Sequence, residues 1–313
     1  MLIIAWYPHV LFRLSFGSQD KIAEIIDETG SVNENYGTNI PHESIIRKHF
    51  SSCRINWNLM RFVPYRLIRP FFEDKLRGLP DNAVNSRIKQ YSRELFESIK
   101  PLYMITDNEE SVIIHPEWFA YLRDHYTIIE SWILWNWMSY MQVRNPNTPN
   151  IGSKLLPPEG RSSLSKQRGL WRYVIDKSGS RLTCPYSEKP LSVDNFALDH
   201  VLPWSFVAHD QLWNLVPCSP EVNSSKSDNV PHSDYIFEIA DKHCFFLTAE
   251  KRSANIKKWD EIMAEYCIAL RLSDKSDIAD SKKLHEAYRN VYFPLFELAS
   301  SQGFKGSWKY RNG

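Results

Sequence analysis

The chain has 313 residues, with 38 Lys plus Arg against 37 Asp plus Glu and a formal net charge of +1. Hydrophobic residues at 43% and charged residues at 24% exclude a generally disordered chain. The balanced charge excludes a protein that is basic all over, so any contact with a polyanion has to be made by a local cluster of cations. Gly is scarce at 11, whereas Trp, Tyr and Phe number 11, 15 and 16, which points to substantially helical, aromatic-rich cores.

The opening MLIIAWYPHVLFRL lacks a basic leader region and a small-residue cleavage site, and it reads as a buried strand. From Pro41 the pattern turns helical, first in HESIIRKHF and then in YRLIRPFFEDKL, where Pro70 kinks or restarts the helix. Val84, Ile88, Tyr91, Leu95 and Ile99 follow at helical spacing. Two short apolar runs around DNEE, between Tyr103 and Ile114, predict a hairpin. Pro116 then opens a long aromatic helix to about Val143. Its apolar segment 128–143 is shorter than the ~20 residues that span a bilayer and carries Glu130 and Asn136, so a membrane role is set aside. The aromatic stretch Trp132–Trp137 reads instead as a buried or partner-facing helix.

Residues 145–164 begin with NPNTPNIGSKLLPPEG, four prolines in a polar stretch, and read as a linker. A basic run follows, Arg161, Lys166, Arg168, Arg172, Lys177 and Arg181, opposed only by Asp176. Such a run is usually a solvated face, but its place beside the motif below makes it the candidate nucleic-acid contact. After Pro231 the pattern is helical again to about Ser300. The five cysteines, Cys53, Cys184, Cys218, Cys244 and Cys267, are scattered and odd in number, which suits a reducing, cytoplasmic setting.

The chemistry is concentrated in Cys184–Pro231. Asn195–Leu202 reads as a strand ending in Asp199-His200, and Pro220–Lys226 as a short helix with Ser219 at its N-cap. A strand–loop–helix arrangement would gather Asp199, His200 and Asn223 around one pocket. A carboxylate and an amide oxygen are hard donors suited to Mg²⁺ or Mn²⁺, which places Asp199 and Asn223 as candidate metal ligands. A neutral imidazole takes a proton from water near pH 7, so His200 is the candidate general base. Asn214 would hold the loop that aims His200, and Lys226 would contact phosphate or neutralise charge in the transition state. Asn223 could instead serve only a local backbone hydrogen bond. His209 and Asp210 are assigned to the aromatic surroundings rather than to the site, and Trp204 and Trp213 to packing.

These residues carry a resemblance. Asp-His-x2-Pro, then Asn-Leu-Val-Pro, then Asn-x2-Lys-Ser-Asp is similar to the HNH endonuclease family, with its ββα-metal fold. Thirteen residues separate His200 from Asn214 and eight separate Asn214 from Asn223, a layout that resembles the HNH domain of RNA-guided CRISPR effectors. The resemblance covers about residues 165–235, under a quarter of the chain. It implies His200 as base, Asp199 and Asn223 as metal ligands, Asn214 as the structural amide, and products with 5′-phosphate and 3′-hydroxyl ends. Many members carry a structural zinc on two C-x2-C knuckles. Here the corresponding positions read Cys184-Pro-Tyr-Ser187 and Cys218-Ser-Pro-Glu221, and two thiolates do not make a closed four-ligand site, so structural Zn²⁺ is not expected.

The expectation is therefore an α+β, mostly helical chain with an embedded ββα-metal module. Residues 1–144 form an α-rich N-terminal domain, 145–164 a linker, 165–235 the nuclease module and 236–313 a helical C-terminal region. The expected function is metal-dependent hydrolysis of duplex DNA, in the manner of prokaryotic restriction or antiviral-defence effectors, with a partner or second copy docking on the aromatic N-terminal domain. The competing reading is a nucleic-acid-binding or assembly subunit whose HNH module stays silent until a partner activates it.

Overall fold

The computed structural model describes residues 12–15, 48, 62–109, 111–156, 162–179, 181–253, 256–273, 277 and 280–311. The chain divides into two compact units, and among the described residues one holds 48 and 62–144 and the other 12–15 together with everything from Asn145 onward. The architecture is α+β and mostly helical, with two small antiparallel sheets. The helix expected over HESIIRKHF (apart from Lys48, which is helical), the first eleven residues of the expected opening strand, Cys53 and Arg161 lie outside the described residues. Phe12–Leu14, the described end of that strand, is turn and loop.

In the first unit, α1 (Val63–Ile68) gives way at Pro70 to a 3₁₀ turn, Arg69–Phe72, and the chain resumes as α2 (Glu73–Leu76). The missing Pro N–H and its ring explain why the α-helix does not run through. Helix α3 (Asp81–Glu94) buries Val84 and Ile88 on one face, and α4 (Phe96–Ile99) ends on Lys100 in the left-handed region. The expected hairpin forms from β1 (Tyr103–Ile105) and β2 (Val112–Ile114), with Met104 opposite Ile113. Ile68, Phe72, Ile88, Tyr103 and Ile105 close this unit's core. The long helix expected from Pro116 is two helices, α5 (Pro116–Asp124) and α6 (Tyr126–Arg144), separated at His125. Among the described residues no helix is long and apolar enough to cross a membrane.

The second unit gathers what the sequence reading divides into linker, nuclease module and C-terminal region. The described first part of the expected linker, residues 145–156, is packed: α7 (Ile151–Leu155) is largely buried in the unit, and Lys154, fully buried, donates to the Phe206 carbonyl at 2.6 Å. Burial lowers the Lys154 ammonium to about 7. The buried Asn145 exchanges hydrogen bonds with the backbone of Ser15, so residues 12–15 belong to this unit as well. Helix α8 (Ser165–Ser178) buries Leu170, Trp171, Val174, Ile175 and Ser178. Then come β3 (Ala197–His200), α9 (Trp204–Val207), a 3₁₀ turn at Leu212–Asn214, β4 (Leu215–Cys218) and α10 (Pro220–Lys226). Helices α11 (Tyr235–Ser253), α12 (Ile256–Leu270) and α13 (Ser281–Ser301) complete it.

The region after residue 235 is not a separate body. Leu198, Val216 and Val222 of the strands and α10 share one continuous core with Phe246, Tyr266, Tyr288 and Tyr292 of the last three helices. A ββα module this small has too little apolar surface to bury alone, and the three helices supply the rest.

Candidate active site

Strands β3 and β4 pair antiparallel with Ala197 opposite Cys218, Asp199 opposite Val216 and His200 opposite Leu215. Successive side chains on a strand point to opposite faces, so Asp199 and His200 diverge at its end. Asp199 turns inward and is 3% exposed. Its Oδ2 accepts from the Tyr186 hydroxyl at 2.6 Å and its Oδ1 from Lys226 Nζ at 3.0 Å. Burial, with the Asp199 charge beside it, pushes the Tyr186 phenol well above its usual range, so it remains a donor. His200 turns the other way, 13% exposed, and its Nε2 lies 2.9 Å from Oδ1 of Asp210.

Helix α10 has the expected bounds, with Pro220 at its first position, which removes an N–H that would have no partner. Ser219 has the extended backbone of an N-cap, but its hydroxyl bonds the Glu221 carboxylate rather than a helix N–H. Lys226, at the end of α10, is fully buried and also donates to the His200 carbonyl at 2.7 Å. This corrects the expectation that Lys226 reaches phosphate: its ammonium ties α10 to the Asp199-His200 end of β3. Asn223 lies three residues earlier, on the same helix face as Lys226 and half-buried.

Asn214 clamps the loop beyond His200. Its Oδ1 accepts from the Leu202 N–H at 2.9 Å and its Nδ2 donates to the Leu202 carbonyl at 3.0 Å, as a paired strand residue would. The Tyr292 hydroxyl backs it, donating to the Trp213 carbonyl at 2.9 Å and lying 3.2 Å from Asn214 Oδ1. Trp213 packs 5.4 Å from the Tyr292 ring and Trp204 packs 5.9 Å from Phe12, so both anchor the core. Burial, then the neighbouring His200, lowers His209 to about 4, which leaves it neutral at pH 7. Cys184 and Cys218 are buried thiols in the same core, and burial raises the Cys218 thiol well above its ordinary value.

The basic run does not form one stripe. Lys166, Arg168, Arg172 and Lys177 are exposed on α8, but Lys166 and Lys177 flank its buried face on one side and Arg168 and Arg172 on the other. Arg168 is anchored, donating to the Phe196 carbonyl at 2.7 Å. Arg181, just beyond α8, donates to the Ser178 carbonyl. The residue that reading the sequence left outside the site is Asp210. Its signal, an acid ten residues after the histidine, has no meaning until the loop folds back.

No group of three or more His, Cys, Asp and Glu side chains suited to a metal ion lies among the described residues. The candidate donors are one carboxylate and one amide. Each Asp199 oxygen accepts one hydrogen bond and keeps a lone pair, and an amide oxygen has two, so by donor chemistry both residues suit a hard cation that retains several waters.

Comparison with known proteins gives one family-level result: residues 184–232 match the model of the HNH endonuclease family. No curated protein and no solved structure matches the chain. The matched span runs from the turn at Cys184 through β3, β4 and α10, and it contains Asp199, His200, Asn214 and Asn223. Residues 184–232 thus carry the match to the HNH endonuclease family, and this chain builds that stretch into a larger helical unit.

Proposed function

We propose that this chain is a metal-dependent endonuclease that hydrolyses phosphodiester bonds of DNA at the end of β3. The observation that supports it best is the arrangement at that strand end: a partly exposed His200, a buried carboxylate beside it, and Asn223 on the helix that Lys226 ties to the same point. His200 takes the proton from the attacking water, a P–O bond forms, and the bond to the 3′ oxygen breaks. Asp199 and Asn223 would hold Mg²⁺ or Mn²⁺, which supplies Lewis acidity toward the phosphate when bound. Lys226 and Tyr186 hold the Asp199 carboxylate in place, and Asn214 fixes the loop that follows the base. The exposed cations of α8 would meet the DNA backbone, giving an affinity that falls steeply with salt. A restriction or antiviral-defence effector is the setting in which we place such an activity.

The test separates cleavage from binding. Duplex DNA should be bound in EDTA and cut only when Mg²⁺ or Mn²⁺ is added, leaving ends with 5′-phosphate and 3′-hydroxyl groups. DNA that is bound but left intact with either metal would favour the non-cutting subunit instead.

A further inference from the structure

Asp210 lies on the loop between α9 and the 3₁₀ turn, and several contacts fix that loop independently of His200. Ala208 adopts a left-handed conformation that turns the chain after α9. The Asn150 side chain donates to the Ala208 carbonyl at 2.9 Å, and Gln167 of α8 donates to the Asp210 carbonyl at 3.0 Å. The loop is thus held at Ala208 and at Asp210 itself, and the Asp210 carboxylate is delivered to His200 Nε2 at 2.9 Å. His200 is the sole ion-pair partner of Asp210 among the described residues.

A neutral imidazole has one N–H and one lone pair, and an ionised carboxylate only accepts. In the neutral ring the nitrogen that faces an ionised Asp210 is therefore the one that carries the proton, which leaves the lone pair on Nδ1. The cavity beside the pair, about 390 Å³, is lined among the described residues by Asp210, Glu265 and His209 with several uncharged polar side chains.

We propose that Asp210 is a positioning residue for catalysis: it fixes His200 as the Nε2–H tautomer and aims Nδ1 at the attacking water. This rests on the endonuclease reading above for its kinetic consequence, but not for the tautomer itself. The role parallels that of a buried carboxylate behind a catalytic histidine in serine proteases, where loss of the carboxylate leaves the wrong tautomer and lowers kcat about 10⁴-fold.

The experiment combines cleavage kinetics with ¹⁵N NMR of the histidine rings, in the full chain, for wild type, Asp210→Ala, Asp210→Asn and Asp210→Glu. Wild-type His200 should show the Nε2–H tautomer. In Asp210→Ala and Asp210→Asn that preference should be lost, with kcat down about 10²–10⁴-fold and KM little changed. Asp210→Glu, which keeps a carboxylate, should recover part of the rate. An unaltered tautomer in folded Asp210→Ala, or cleavage within about threefold of wild type, would overturn the proposal. A wild-type chain that binds DNA and never cuts would sink the endonuclease reading, while the tautomer comparison would still decide the role of Asp210.

Discussion

Helices α6 and α13 are nearly equal in length and both rich in aromatic residues, yet they are used in opposite ways. In α13, Leu284, Ala287, Tyr288, Tyr292, Phe296 and Ala299 are buried, a single stripe at spacings of three and four residues. In α6 the apolar residues lie on all sides: Met141 is buried, whereas Trp132, Trp135 and Val143 are 66%, 68% and 76% exposed. One packing partner covers one stripe, so a helix that is apolar all round leaves most of its surface to solvent or to something else. Aromatic content alone does not make a core; its period does. The stripe on α13 reaches the functional module, because Tyr288 and Tyr292 both donate to the Trp213 carbonyl.

The sharpest way to break the comparison is to remove interactions from the buried side. Lys226→Met leaves the Asp199 charge buried without its cationic partner and should cost about 3–5 kcal/mol in denaturant unfolding. A loss confined to DNA affinity, with stability intact, would restore Lys226 to the phosphate. Tyr288→Ala on α13 should cost a similar amount, about 3–5 kcal/mol, by opening a cavity among Tyr266, His243 and Tyr292. Asn214→Ala strands the N–H and carbonyl of Leu202 and should cost roughly 2–3 kcal/mol by the same measurement.

A pH titration sharpens the contrast from another direction. Burial lowers His243 to about 3, and its Nδ1 pairs with the Tyr266 hydroxyl at 2.7 Å. Below its unfolded value near 6.5 the unfolded chain takes up a proton that the native state refuses. Stability from this group is therefore fully present above about 6.5 and is lost as pH falls toward 3, at about 1.4 kcal/mol per pH unit. His243→Phe should flatten that acid limb, and an unchanged slope would count against the buried neutral imidazole. The smallest effect belongs to α6. Trp132→Ser with Trp135→Ser should change unfolding stability by no more than about 0.5 kcal/mol per site while raising solubility. A large loss would mean that this surface is covered.

Local features were legible in the sequence because their causes are local. Pro70 interrupts a helix, Pro220 starts one whose bounds hold at both ends, and two short apolar runs around a polar turn make the hairpin. The spacing of Asp199, His200, Asn214 and Asn223 carried the HNH likeness for the same reason, since strand, loop and helix follow one another in the chain. The remainder depends on contacts between distant positions. Lys226 meets Asp199 across 27 residues and Tyr292 meets Asn214 across 78, and no periodicity encodes either pairing. The prolines of 145–164 read as a linker because Pro marks irregular backbone without saying whether it is covered, and here α7 is buried. Reading the sequence assigns Asp210 away from the site because its partner is chosen by the fold of a loop rather than by spacing.

The central claim is that His200 is the base of a metal-dependent endonuclease. Its most direct test is cleavage of supercoiled plasmid by wild type and His200→Ala, each with Mg²⁺, Mn²⁺ or EDTA, after both are shown to fold and bind DNA. The account predicts nicking or linearisation by wild type with metal, none in EDTA, and loss of cleavage in the variant. Equal cleavage by His200→Ala, or cleavage that persists in EDTA, would contradict it.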